Sequence, residues 1–130
     1  MLVIRPDQME VLQSAVEEEF VHRIARHLRS ERVELGSIPP SDLYEMIRTG
    51  IARARGYGMQ SENTLAAFVG LMFGVAPNFD DVPAIRRVPT DPEVLPDARV
   101  DELWRATTDA DWEQARTGRD PETWMNRSRR

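Results

Sequence analysis

From residue 61 the chain reads Ser61-Glu62-Asn63-Thr64-Leu65-Ala66-Ala67-Phe68-Val69-Gly70-Leu71-Met72-Phe73-Gly74-Val75-Ala76-Pro77-Asn78-Phe79-Asp80. Between Leu65 and Ala76 every residue is apolar or glycine. A helix that is apolar all round is buried all round. The stretch therefore predicts a core helix over about 61–75, central in the fold and flanked by the two helices before it. Ser61 supplies an N-cap and Glu62 an acid for the first turn. Gly70 and Gly74 lie one turn apart and predict close packing against a neighbour. Just upstream, Gly56-Tyr57-Gly58 closes the preceding helix, and Gly58 suits the left-handed conformation of a C-cap. The apolar run, about 13 residues, is too short to span a bilayer, which takes roughly 20.

Working outward, Ser41 reads as the N-cap of a helix whose inner stripe is Leu43, Ile47, Ile51 and Ala54. Gly50 within it costs about 1 kcal/mol against alanine, which predicts close contact with a neighbouring helix. The first helix starts at Pro6 and runs to about Ser30, with Met9, Leu12, Val16, Phe20, Ile24 and Leu28 along one stripe. Beyond the core, Asp80-Asp81 reads as a cap for a short helix over Pro83 to Val88, and the stretch from Pro89 to Asp97 as loop. A last helix is expected from about Ala98 to Arg116, with Val100, Leu103, Trp104 and Ala115 inward, stopped by Gly118. No stretch alternates as a strand does, and no internal repeat occurs. The expected fold is all-α: a single-domain bundle of four to five helices over 1–118, followed by a polar tail over 119–130 that holds Trp124, Met125, Arg127, Arg129 and Arg130.

Composition narrows the chemistry. A chain of 130 residues, 41% hydrophobic and 30% charged, matches one globular domain with a core of its own. There is no cysteine, so disulfide frameworks, zinc fingers and cysteine nucleophiles drop out. All 17 basic residues are arginine, which removes Schiff-base lysines and the P-loop lysine. A net charge of −5 is the wrong sign for non-specific nucleic-acid binding. No signal-peptide pattern opens the chain, since Arg5, Pro6 and Asp7 follow the first residues directly; a cytoplasmic location is the expectation.

Catalytic constellations are lacking. There is no Walker A loop, no G-x-G-x-x-G, no H-E-x-x-H and no G-x-S-x-G. Glu19 and His22 form one Glu-x-x-His pair, but a di-iron centre needs a second pair and further glutamates. Beside Glu17, Glu18, Arg23 and Arg26 the pair reads as a solvated face. Asp109-Ala110-Asp111 has the D-x-D form of a cation site but lacks the glycine and downstream glutamate of a calcium loop. Neither an enzyme, a cofactor nor a metal is expected. The tryptophans carry more. Trp104 is expected in the core. Trp112, about 80° further round a continuous helix, falls at the stripe's edge. Trp124, beside Met125, sits in a tail where no core is expected, with the composition of an interface anchor; the alternative is that the tail folds back on its own bundle. The candidate partner-binding residues are Trp112, Trp124, Met125, Asp109 and Asp111.

Several residues also carry a resemblance. They are Ile4-Arg5, Gln8-Met9, Leu28, Ile47, Gly50-Ile51, Arg53-Ala54, Tyr57-Gly58, Ser61-Glu62, Leu71-Met72-Phe73 and Phe79-Asp80. In these the chain resembles small uncharacterised bacterial proteins associated with type VI secretion, which occur alongside spike proteins, spike-tip proteins and toxic effectors. The match covers roughly the first two-thirds and departs at Ala76, where glycine is expected, and after Pro89. Most of these are core and capping positions, which report fold before role. The resemblance implies an accessory protein, adaptor or co-chaperone, that binds an effector, its loading chaperone or a spike component. The alternative it leaves is an immunity protein that neutralises a cognate toxin, with the acidic region from Asp91 to Asp111 as its contact.

Overall fold

The computed structural model describes residues 6–125. Among them no strand occurs, and the fold is all-α. Six α-helices follow one another: α1 (Pro6–Glu31), α2 (Pro40–Gly56), α3 (Glu62–Gly74), α4 (Pro83–Arg86), α5 (Arg99–Ala106) and α6 (Asp109–Thr117). Short 3-10 turns at Val33–Ser37, Phe79–Asp81, Pro96–Ala98 and Pro121–Met125 link or follow them. By internal packing the chain divides into two compact units, Met1–Ile47 and Arg48–Arg130.

In the first unit, α1 starts at Pro6 as its sequence predicts. Its apolar stripe behaves differently along its length. Phe20, Ile24 and Leu28 are buried, together with Val21 and Ala25, whereas Met9, Leu12 and Val16 stay exposed. Glu31 ends the helix, and the Arg32 amide still bonds the Leu28 carbonyl at 2.8 Å. The Arg29 guanidinium then donates to the Ile38 carbonyl at 2.9 Å and ties the loop back. His22 stacks on Tyr44, ring centroids 4.4 Å apart. Helix α2 begins one residue before the expected cap. Pro40 takes the first helical position, where its missing N–H costs nothing, and the Pro39 carbonyl accepts the Leu43 amide at 3.0 Å. Ser41 lies inside the first turn and caps nothing.

In the second unit α3 forms the core. Leu65, Phe68, Val69 and Met72 are at most 1% exposed. Ser61 caps the helix as predicted, its hydroxyl accepting the Thr64 amide at 3.2 Å. The opening of α3 is pinned again from a distance, because the Asp97 carboxylate accepts the amides of Gln60 and Ser61 at 2.8 and 3.1 Å. Burial is not all-round, however: Ala67 is exposed and Ala66 and Gly70 are half-exposed. These residues are small and apolar, so hydropathy alone does not separate them from the core face. A Cβ on Gly70 would meet nothing within 4 Å, and the close packing expected of it is absent. Gly50 does meet its expectation. A Cβ there would fall 2.9 Å from Cγ2 of Val69 and 3.1 Å from Sδ of Met72, so the missing side chain lets α2 and α3 approach. Gly58 has φ +92°, the left-handed cap that ends α2.

The expected last helix is two. Thr107 and Thr108 are extended, with ψ of 164° and 165°. The Thr108 hydroxyl accepts the Asp111 amide at 3.3 Å, and the Asp111 carboxylate accepts the Thr108 amide at 2.9 Å. This reciprocal capping box starts a fresh helix at Asp109 and breaks the run from Ala98 to Arg116.

Candidate functional site

Two polar or aromatic constellations in the second unit compete as sites. The first centres on Asp80, whose side chain is fully buried. Arg53, from the second half of α2, donates Nε to both Asp80 oxygens at 3.0 Å and places Nη2 2.9 Å from Oδ1. The Tyr57 hydroxyl donates to Asp80 Oδ2. Arg86, on α4, donates to the Asp80 backbone carbonyl at 2.9 Å and to Asp81 at 3.1 Å. Asp80 was expected to cap α4, but the α4 N-terminus has no side-chain cap. Burial is the reason: a buried carboxylate needs a cation more than a helix end needs an acid.

The electrostatics of this cluster are those of a closed clasp. Burial raises the Tyr57 pKa, and the neighbouring Asp80 charge and its hydrogen bond raise it further. Burial, the largest single influence, disfavours the Arg53 cation, but attraction and hydrogen bonding to Asp80, with the nearby Tyr57 and Asp81, together outweigh it and the Arg53 pKa is raised. Tyr57 is thus held protonated and Arg53 held charged. Among the described residues no buried side-chain nitrogen or oxygen lacks a partner. General acid–base chemistry is favoured by a pKa near the working pH; Tyr57 and Arg53 are both shifted away from it. The cluster clasps the end of α2 to the turn after α3.

The second constellation is aromatic. Rings pass from the core to the surface in sequence. Tyr57 and Phe68 lie 5.9 Å apart, Phe68 and Phe79 5.0 Å, Phe79 and Trp112 6.0 Å, and Trp112 and Trp104 5.6 Å. Trp112 is buried, and its indole N–H donates to Thr107 Oγ1 at 2.8 Å. Trp104 closes the series with 61% of its surface exposed. Both indoles line an open groove of roughly 720 Å³, with Thr107, Asp109, Glu113 and Arg116 among its other walls.

This reverses the expected roles of the two tryptophans. On one continuous helix they would stand about 12 Å apart along the axis. The break at Thr107 and Thr108 turns α6 so that Trp112 enters the core and Trp104 covers its outer face. A threonine followed three residues later by an acid is the sequence sign of that break, and it was available at Thr108 and Asp111.

The other expected contacts divide. Asp109 lines the groove and is exposed. Asp111 is half-exposed and serves the capping box through its carboxylate. Trp124 is half-buried, its ring 4.7 Å from Phe73, and its carbonyl accepts the Thr49 hydroxyl at 3.3 Å. Asn78 holds the approach, donating to the Gly118 carbonyl at 3.0 Å and accepting the Asp120 amide at 2.7 Å. The tail therefore folds back through residue 125, because Asn78 and Phe73 give its backbone and its indole a place to dock. Met125 remains 82% exposed, and neither it nor Trp124 lines the groove. Arg127, Arg129 and Arg130 lie outside the described residues, as do Ile4 and Arg5. Glu19 pairs with Arg23 and Arg26 at 3.9 and 3.6 Å, while His22 lies 3.8 Å from Glu18. No group of three or more histidines and acids able to hold a metal occurs among the described residues. Nor, among them, is any helix long and apolar enough to cross a membrane.

Comparison with family models, with curated proteins and with solved structures finds no match to this chain.

Proposed function

We propose that this chain is a binding protein rather than a catalyst, and that its partner contact is the groove beside Trp104. The observation that carries the reading is a tryptophan left 61% exposed on a rigid support, the buried Trp112 ring. Exposing an indole forfeits its hydrophobic stabilisation, and such a ring on a preorganised base is the usual composition of an interface hot spot. Asp109 and Glu113 give the groove polar, acidic walls. With the resemblance of the N-terminal two-thirds, the proposed role is adaptor or co-chaperone in type VI secretion, with an effector, its loading chaperone or a spike component as the protein partner.

The test compares tagged wild-type chain with Trp104→Ala in pull-downs from the native cell, with captured proteins identified by mass. The wild type should capture a secretion effector, its chaperone or a spike component. Trp104→Ala should weaken binding by about thirtyfold, the equivalent of roughly 2 kcal/mol for one aromatic hot spot. Equal capture by both would move the interface elsewhere. Capture of a toxin whose activity the chain suppresses would replace the adaptor role with immunity.

A further inference from the structure

The charged walls of the Trp104 groove are not evenly matched. Glu113 and Arg116 stand 3.4 Å apart and offset one another's charge. In the same turn, the Asp111 carboxylate accepts the Thr108 amide. Asp109 lines the groove, is exposed, and has no hydrogen bond or ion pair among the described residues. The groove therefore carries one negative charge that nothing there compensates. Its aromatic wall is open in the same way. Trp112 supports Trp104 by stacking, with ring centroids 5.6 Å apart and planes 28° from parallel. Among the described residues no other ring touches Trp104 and no cation lies over it. Most of the indole stays in water.

One kind of side chain satisfies both walls. The face of an indole is the negative part of its quadrupole and attracts a cation. A carboxylate takes N–H donors, and a guanidinium offers it two at once. Arginine is planar, so it lies flat on a ring while the N–H groups at its edge stay free for a carboxylate. Lysine is a compact point charge, more strongly hydrated, and has no plane to stack. An aliphatic side chain would cover the indole and leave Asp109 desolvated without a donor. A carboxylate or phosphate would meet Asp109 with like charge, and Arg116 is already paired. We propose that the Trp104 groove is an arginine-binding site, in which a guanidinium from a partner protein stacks on the Trp104 indole and pairs with Asp109. This rests on the groove being the partner contact, and it names the side chain that the partner must present.

The experiment uses the full chain and three short peptides, capped at both ends and identical but for a central arginine, citrulline or leucine. Citrulline keeps the shape of arginine without its charge. Binding is read from the Trp104 indole N–H resonance, assigned by its loss in Trp104→Ala. The arginine peptide should bind at least about fivefold tighter than either of the others, with the gap narrowing as salt rises toward about 0.5 M. Asp109→Asn should weaken the arginine peptide by about two- to fivefold and leave the citrulline peptide unchanged, while far-UV circular dichroism holds. Asp109 is not a member of the capping box, so the start of α6 survives the change. If that variant fails to fold, the three peptides on the wild-type chain still decide. Equal binding of arginine and citrulline, tighter binding of leucine, or binding of none overturns the proposal. So does an arginine preference that persists in full in folded Asp109→Asn. Self-association of the wild type, seen by sedimentation and abolished by Trp104→Ala, would show a second copy in the groove and overturn it as well. The partner reading fails separately, if Trp104→Ala captures the partner as the wild type does. If Trp104→Ala loses the partner and Asp109→Asn holds it at full strength, the groove is the contact and arginine is not what fills it.

Discussion

Gly58 and Tyr57 are neighbours, and each carries a separate consequence. Gly58 has φ +92°, and a Cβ there would lie 3.4 Å from Pro96. A β-branched side chain at positive φ is strained by about 1–3 kcal/mol, so Gly58→Val should lower the midpoint of urea unfolding by a corresponding amount. An unchanged midpoint would rule out this turn geometry. For Tyr57 the sign follows from proton binding. Its phenol holds its proton to a higher pH in the folded chain than its ordinary value near 10. The folded state therefore binds more protons above that value, and stability falls as pH rises. Its contribution is fully present below about pH 10 and is lost progressively above. Tyr57→Phe should flatten the fall in unfolding free energy between about pH 9 and pH 11; an unaltered slope would deny the linkage. These two residues differ in how far the sequence reveals them. The role of Gly58 is local, set by its place after a helix, and is legible there. The role of Tyr57 comes from Asp80, 23 residues away, which is brought to it only by the reversal after α3. Asp80 read alone looks like a cap because its cation, Arg53, is 27 residues distant.

Helix α3 was legible because its signal is redundant: a cap, an acid in the first turn and an apolar run of sufficient length all agree. Phe68 and Met72 are both fully buried, so Phe68→Ala and Met72→Ala should each cost about 2–5 kcal/mol in chemical denaturation. Losses under about 1 kcal/mol at both would remove α3 from the core. The pair α5 and α6 was less legible, since the break between them rests on side-chain hydrogen bonds rather than on apolar spacing. Thr107 and Thr108 compete with the helix for backbone groups, and Thr107 also accepts the Trp112 N–H. Periodicity read across that break assigned Trp104 inward and Trp112 to the edge. In α1 the spacing placed six residues along one stripe, and only Phe20, Ile24 and Leu28 of them are buried. Spacing describes which residues share a face, not whether anything covers it.

At the scale of the whole chain, Trp124 and Trp104 separate stability from the proposed binding. Trp124 packs on Phe73 and its carbonyl accepts from Thr49, so the segment beyond Gly118 is part of the second unit's structure. Trp104 stands exposed at the groove and contributes little to burial. Truncation after Gly118 removes a half-buried indole and the hydrogen bond to Thr49, and it leaves Phe73 uncovered. The cost should be about 1–3 kcal/mol, which for a domain this size lowers the melting temperature by several degrees. The truncated chain should keep its helices, because none of α1 to α6 lies beyond residue 118. It should also keep its partner, because neither Trp124 nor Met125 lines the groove. Trp104→Ala should do the reverse, sparing the melting temperature and weakening the partner by about thirtyfold. Calorimetry and a binding titration on the two variants side by side decide the assignment. A truncated chain that melts as the wild type does would show the tail docked without consequence. A truncated chain that loses its partner while staying folded would transfer the contact from the groove to Trp124 and Met125.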